Sequence, residues 1–187
     1  MQVKGTALAS IPKFVRKNHG KEGLELWLSK LAPEVRTIFE ETLKESAWYP
    51  LKELVVTPTA VFCQLFYNWD YKGAWELGRY SADQGLRGIN RLSIKFVSPE
   101  VLINKAITLL PSYYTPSTLE VVENRENLAV VRITEFPEID KVIEYRIGGW
   151  MEAALEMSGC WNIMVEMTKA MTRNAPFTEY RMTWERG

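Results

Sequence analysis

In the stretch LEVVENRENLAVVRI, residues 119–133, the apolar period changes from that of a helix to that of a strand. Leu119 and Val121, then Ala129, Val131 and Ile133, alternate on either side of the polar run Glu123-Asn124-Arg125-Glu126-Asn127. A period of two sends successive side chains to opposite faces of a sheet, so the spacing predicts a β-hairpin with one buried face. The hairpin divides the chain into a helical half before it and a sheet-containing half from it onward.

Working back from residue 119, Ser98-Pro99-Glu100 supplies a cap followed by proline at the first helical position. It opens a helix with Val101, Leu102, Ala106 and Leu109 on its apolar side. Asp70 is placed to cap a helix over about Tyr71 to Leu86, where Ala74, Gly78, Ser81, Ala82 and Gly85 form a strip of small side chains that another backbone can approach closely. Thr57-Pro58 reads as a further cap and proline, opening a helix with Val61, Phe62, Leu65 and Phe66 inward. Pro33 starts a helix whose buried face is Val35, Ile38, Phe39 and Leu43, with Glu40, Glu41 and Lys44 in solvent. Leu24, Trp27, Leu28 and Leu31 give a helical stripe after the turn glycines Gly20 and Gly23, and Leu8, Ile11, Phe14 and Val15 give another around Pro12.

Working forward, Pro137 is expected to open a long helix to about Met157, with Ile139, Val142, Ile143, Ile147, Trp150, Met151, Ala154 and Leu155 facing inward. A second hairpin closes the chain around Arg173-Asn174-Ala175-Pro176, with Ile163, Val165 and Met167 in its first strand and Tyr180, Met182 and Trp184 aligned in its last. The fold class is therefore α+β: a helical half, then hairpin, helix and hairpin, giving an antiparallel four-stranded sheet covered by helices on one face.

Composition narrows the function classes. Lysine plus arginine equals aspartate plus glutamate at 23 each, so no net field draws a polyanion and nucleic acid is not an expected partner. No apolar run approaches the length of a membrane span, and Met1-Gln2-Val3-Lys4-Gly5 lacks an apolar signal core, so a cytoplasmic location is expected. No repeat or Gly/Ser linker divides the chain, and residues 1–187 are read as one domain.

Chemistry-bearing residues are sparse. His19 is the single histidine, which rules out multi-histidine metal sites; Lys17-Asn18-His19-Gly20 reads as an exposed helix C-terminus. Cys63 and Cys160 sit in apolar helical contexts without CxxC spacing or an adjacent base and read as buried free thiols. Phosphate-loop spacings are absent, and Arg79 reads as a surface or interface arginine. Gly148-Gly149 inside a helix costs about 1 kcal/mol per residue relative to alanine, so something must come close enough to compensate; helix–sheet contact is the expected cause.

The segments ELGRYSADQGL (76–86), GGWMEAALEMSG (148–159) and TRNAPFTEYRMTW (172–184), in this order of elements, resemble the superfamily of 4-vinyl-reductase-like and haem–nitric-oxide-binding (H-NOX-like) domains. Its relatives include sensor domains of phenol-responsive activators and the TRAPP vesicle-tethering subunits, and the chain looks like a branch with myxobacterial paralogues. The resemblance implies a pocket between helices and sheet, filled by a hydrophobic small molecule or acyl chain, and a homodimer. Haem-binding members ligate iron through a histidine before the sheet, where this chain has LLPSYYTPS (109–117); the tyrosine–serine–arginine motif that holds the haem carboxylates is also absent. Phenol-sensing members hold zinc through cysteines at positions that match Ala170 and Thr178, and Glu166 alone would not hold the metal. No cofactor or metal is expected.

The aromatic set nearest the implied pocket is Trp48, Tyr49, Phe66, Trp75, Tyr113, Tyr114 and Trp150, joined by Met151 and Leu155. Plain core is the competing reading for each. The leading expectation is a non-haem sensing or binding domain that performs no covalent chemistry and is not an enzyme. The alternative is a docking module resembling the tethering subunits, which an exposed strip at Ala74, Gly78 and Ala82 would favour; an enzyme accessory, as the reductase name of the resembled superfamily suggests, is a third reading.

Overall fold

The computed structural model describes residues 1–86 and 97–186. The elements run β1 (Gln2–Lys4), α1 (Gly5–Ser29), α2 (Pro33–Thr37), a π-helical turn (Ile38–Thr42), β2 (Trp48–Pro50), a second π-helical turn (Lys52–Val56), α3 (Thr57–Tyr67) and α4 (Lys72–Leu86). After residues 87–96 come α5 (Pro99–Tyr113), β3 (Tyr114–Thr115), β4 (Thr118–Arg125), β5 (Leu128–Glu135), α6 (Lys141–Met157), β6 (Trp161–Lys169) and β7 (Thr178–Glu185).

The expected hairpins form one antiparallel sheet in the order β4-β5-β7-β6. Val131 pairs with Tyr180 and Ala129 with Met182, which aligns the buried row of the first hairpin with that of the second. Ala129, Val131, Ile133, Tyr180, Met182 and Trp184 are all buried, whereas Met164, Glu166 and Thr168 are exposed on the other face. Against the buried face lies α6, through Ile143, Ile147, Met151 and Leu155. A second core of Ile11, Phe14, Trp27, Phe62 and Leu77 fills the space among α1, α3 and α4, and the Trp27 indole donates to the Pro58 carbonyl at 2.9 Å.

Several local expectations are corrected. The first hairpin turns on Glu126-Asn127 alone, with Asn127 at φ 61°, a left-handed conformation that asparagine tolerates. A bulge between Val121 and Glu123 takes up the extra residue. Thr57 does not cap α3, because the chain is already helical from Leu51 through the π turn. Pro137 does not open the long helix: a turn intervenes, and Asp140 caps α6 by accepting from the Val142 amide at 2.8 Å. Val35, Ile38, Phe39 and Leu43 are half-buried, not buried. A small sheet in the order β2-β1-β3 escaped the sequence reading, with Val3 opposite Tyr49 on one side and Tyr114 on the other.

The glycine pair and the small-residue strip explain each other. Ala74, Gly78 and Ala82 of α4 are buried against α6, and a Cβ on Gly78 would overlap the Arg146 carbonyl. A Cβ on Gly149 would overlap the Trp75 carbonyl, and one on Gly148 the Trp75 ring. The close contact is thus between two helices rather than between helix and sheet. At its rim Arg79 pairs with Glu152 at 2.8 Å and Glu156 at 2.6 Å.

Candidate functional site

Because α4 and α6 meet backbone to backbone, the space they leave lies to one side, where α1 and α5 complete a cavity of about 190 Å³. Among the described residues its walls are Ala7, Ser10 and Lys13 of α1, Gly78, Ser81 and Gln84 of α4, Ala106, Leu110 and Tyr113 of α5, and Arg146, Ile147, Trp150 and Met151 of α6, with Tyr114 and Leu119 from β3 and β4. The lining is mostly apolar with a few polar groups, the composition of a small-ligand site. Lys13 and Glu45 are exposed and paired at 3.4 Å, so they mark the solvent side. Ile147, Ala7 and Arg146 are buried at the inner side.

Four of the nine residues expected around a pocket meet here: Tyr113, Tyr114, Trp150 and Met151. Burial raises the pKa of the Tyr113 phenol, which favours its neutral, donating form. The other five lie elsewhere. Leu155 is one turn further along α6 in the core under the sheet. Trp75 covers Gly148 and donates to Glu152 at 2.5 Å. Phe66 stacks on His19 at 3.9 Å, in the second core. Tyr49 accepts from the Lys44 amide at 2.8 Å, and Trp48, on the edge strand β2, is 38% exposed beneath the Lys4 ammonium.

His19 ends the first part of α1, where Gly20 has φ 69°, but it is not the exposed residue expected there: its Nε2 is buried without a partner and desolvation lowers its pKa. Both cysteines are buried free thiols, and burial pushes Cys63 up to about 11.

Two buried charges were missed, and both lie on α6. Glu144 accepts from Thr178 Oγ1 at 2.5 Å, from the Thr172 hydroxyl and from the Thr172 amide at 3.4 Å. Arg146 is 3% exposed; it donates to Thr59 Oγ1 at 3.3 Å and to the Ala7 carbonyl at 3.2 Å. The signal for Arg146 was present in the sequence: a cation set between Ile143 and Ile147, on a helix whose neighbouring positions are apolar.

No protein-family model matches the chain, and no curated protein matches it. Solved structures do. An H-NOX protein from S. oneidensis superposes with a TM-score of 0.76 at 14% identity, covering 98% of this chain and 96% of that one. An H-NOX protein from K. algicida gives 0.70 at 12% identity, covering 98% and 97%, and one from T. tengcongensis gives 0.67 at 14%, covering 98% of each.

The first two structures are described in Fe(II) states, so the fit of a haem has to be tested on this chain's own residues. The cavity is smaller than the roughly 300 Å³ at which pockets for drug-sized ligands begin, and a porphyrin is larger than most such ligands. His19, the chain's one histidine, packs its ring against Phe62 and Phe66 and is not among the residues lining the cavity. These residues do not fit a haem. At the zinc positions of the phenol sensors, Ala170 is a buried methyl and the Thr178 hydroxyl is committed to Glu144, while Glu166 lies on the exposed sheet face. At identities of 11–15% the likeness establishes that this chain has the fold of an H-NOX domain, and the cavity has to be read from its own lining.

Proposed function

We propose that this chain is a small-molecule-binding, sensing domain, with a ligand held in the α1–α4–α5–α6 cavity and no covalent chemistry performed on it. The observation that carries this reading is the cavity itself: aromatic and aliphatic walls from four helices, in a fold whose solved examples include an Fe(II)NO ligation state in the S. oneidensis protein. An apolar cavity of about 150 Å³ is enough to hold a benzene ring, so the site suits a ring-sized or short-chain body rather than a long acyl chain. No helix among the described residues is long and apolar enough to cross a membrane.

The docking reading loses the observation that would have favoured it, since the strip at Ala74, Gly78 and Ala82 is covered by α6. The same burial removes one of the two grounds for expecting a homodimer and leaves only the habit of the resembled superfamily.

A thermal-shift screen of small apolar compounds on wild type and Trp150→Ala tests the reading. Binding raises the melting temperature by mass action. Hits with wild type that vanish in a folded Trp150→Ala protein are expected. Their absence, together with a mutant destabilised by the 3–5 kcal/mol typical of a deleted core tryptophan, refutes it.

A further inference from the structure

Arg146 is the one feature of the cavity that packing does not explain. Guanidinium carries five N–H donors and a full charge, and here two hydrogen bonds go to neutral acceptors, a hydroxyl and a carbonyl. No carboxylate pairs with it among the described residues, and the stretch 87–96 contains no aspartate or glutamate. Burying an ion costs several kcal/mol unless a counter-charge repays it, which is why buried charges are normally paired. Desolvation correspondingly lowers the Arg146 pKa, yet arginine remains protonated in proteins. Removing it from water without supplying an anion makes sense if the anion arrives with the ligand.

The surroundings define that anion's carrier. Ala7, whose carbonyl Arg146 holds, and Arg146 itself both line the cavity at its buried side, while Trp150, Met151 and Leu110 offer apolar wall. The only other cationic side chain among the described lining residues, Lys13, is already paired with Glu45 at the exposed side. One unmatched positive charge at the inner side of an apolar chamber of about 190 Å³ therefore calls for one negative charge on a compact apolar body. Guanidinium matches the fork of a carboxylate, which it holds bidentately.

We infer that the ligand of this cavity is a small apolar monocarboxylate, on the order of ten non-hydrogen atoms, whose carboxylate takes Arg146 as its counter-ion. The inference rests on the cavity being the binding site.

The test pairs acids with their neutral isosteres on the full chain. Benzoate, phenylacetate and hexanoate are titrated by calorimetry against benzamide, phenylacetamide and hexanamide, on wild type, Arg146→Met and Arg146→Lys. Wild type is expected to bind at least one acid ten times or more tightly than its amide. Arg146→Met should lose that preference, and Arg146→Lys should keep part of it through charge without the bidentate fork. Circular dichroism confirms that each variant is folded, and if Arg146→Met does not fold, the acid-to-amide ratio of wild type with the Arg146→Lys decrement decides alone. Amides binding as tightly as acids would overturn the carboxylate inference and leave the cavity as a site. Neither series binding to wild type would overturn both.

Discussion

Glu144 and Arg146 stand two residues apart on α6, both buried, and they have been treated in opposite ways. Glu144 is enclosed by the loop between β6 and β7: Thr178 and Thr172 donate to it, and the hydroxyl of Tyr180 ties the Glu144 carbonyl at 2.7 Å. Every partner comes from the chain, so its charge is spent on architecture. Arg146, on the far side of the same helix, holds two neutral groups and, among the described residues, no anion. A buried charge fully satisfied from within signals a structural clasp, whereas one left short beside a cavity signals a vacancy for a guest.

The contrast breaks first at the clasp. Glu144→Ala strips acceptors from the half-buried Thr172 and the fully buried Thr178 and frees the loop, and it is expected to cost on the order of 3 kcal/mol, measured as a fall in the urea midpoint. A loss below about 0.5 kcal/mol would put Glu144 in the same class as an ordinary surface residue. Trp150→Ala comes next, at about 1–2 kcal/mol, because a half-buried wall loses less packing than the 3–5 kcal/mol of a fully enclosed tryptophan. Arg146→Met should have the smallest effect of the three. Replacing an uncompensated buried charge by an apolar group of similar volume is often neutral or stabilising, so its urea midpoint should equal or exceed that of wild type while the acid preference disappears. A strongly destabilised Arg146→Met would make the arginine a structural partner of Thr59 and Ala7 instead.

The smallest effect belongs to His19. Its folded pKa lies below the ordinary 6.5 because burial penalises the charged ring. The unfolded chain therefore takes up the proton first, and stability is full above about pH 6.5, declines as the pH falls toward the folded value, and is flat below that. The difference in stability between wild type and His19→Phe, followed from pH 8 to pH 5, should fall in that window and nowhere else; a difference independent of pH would show that the ring titrates as it does in water.

The sheet was legible because its signals are local. Val131, Ile133, Tyr180 and Met182 alternate within their own strands, and the Ser98 cap satisfies an amide three residues on. Even there, the start of α6 was misplaced at Pro137, since a proline marks both helix starts and turns. The small sheet was illegible for the opposite reason: strands of two or three residues carry no period, and their partners are remote in sequence. Four pocket residues were named from a resemblance, but what distinguishes the cavity, the unpaired charge on Arg146, could not be. The apolar neighbours of Arg146 signal its burial, but whether an anion meets it becomes visible only once the neighbouring helices are in place.

That central short strand has a consequence for how the protein is made. Val3 is completely buried between β2 and β3, yet Tyr114, its second partner, is synthesised about a hundred residues later. At the roughly 5–20 residues per second of a translating ribosome, β1 waits on the order of 5 to 20 seconds with one edge unpaired. During that interval the unpaired edge is a template on which another extended chain can pair.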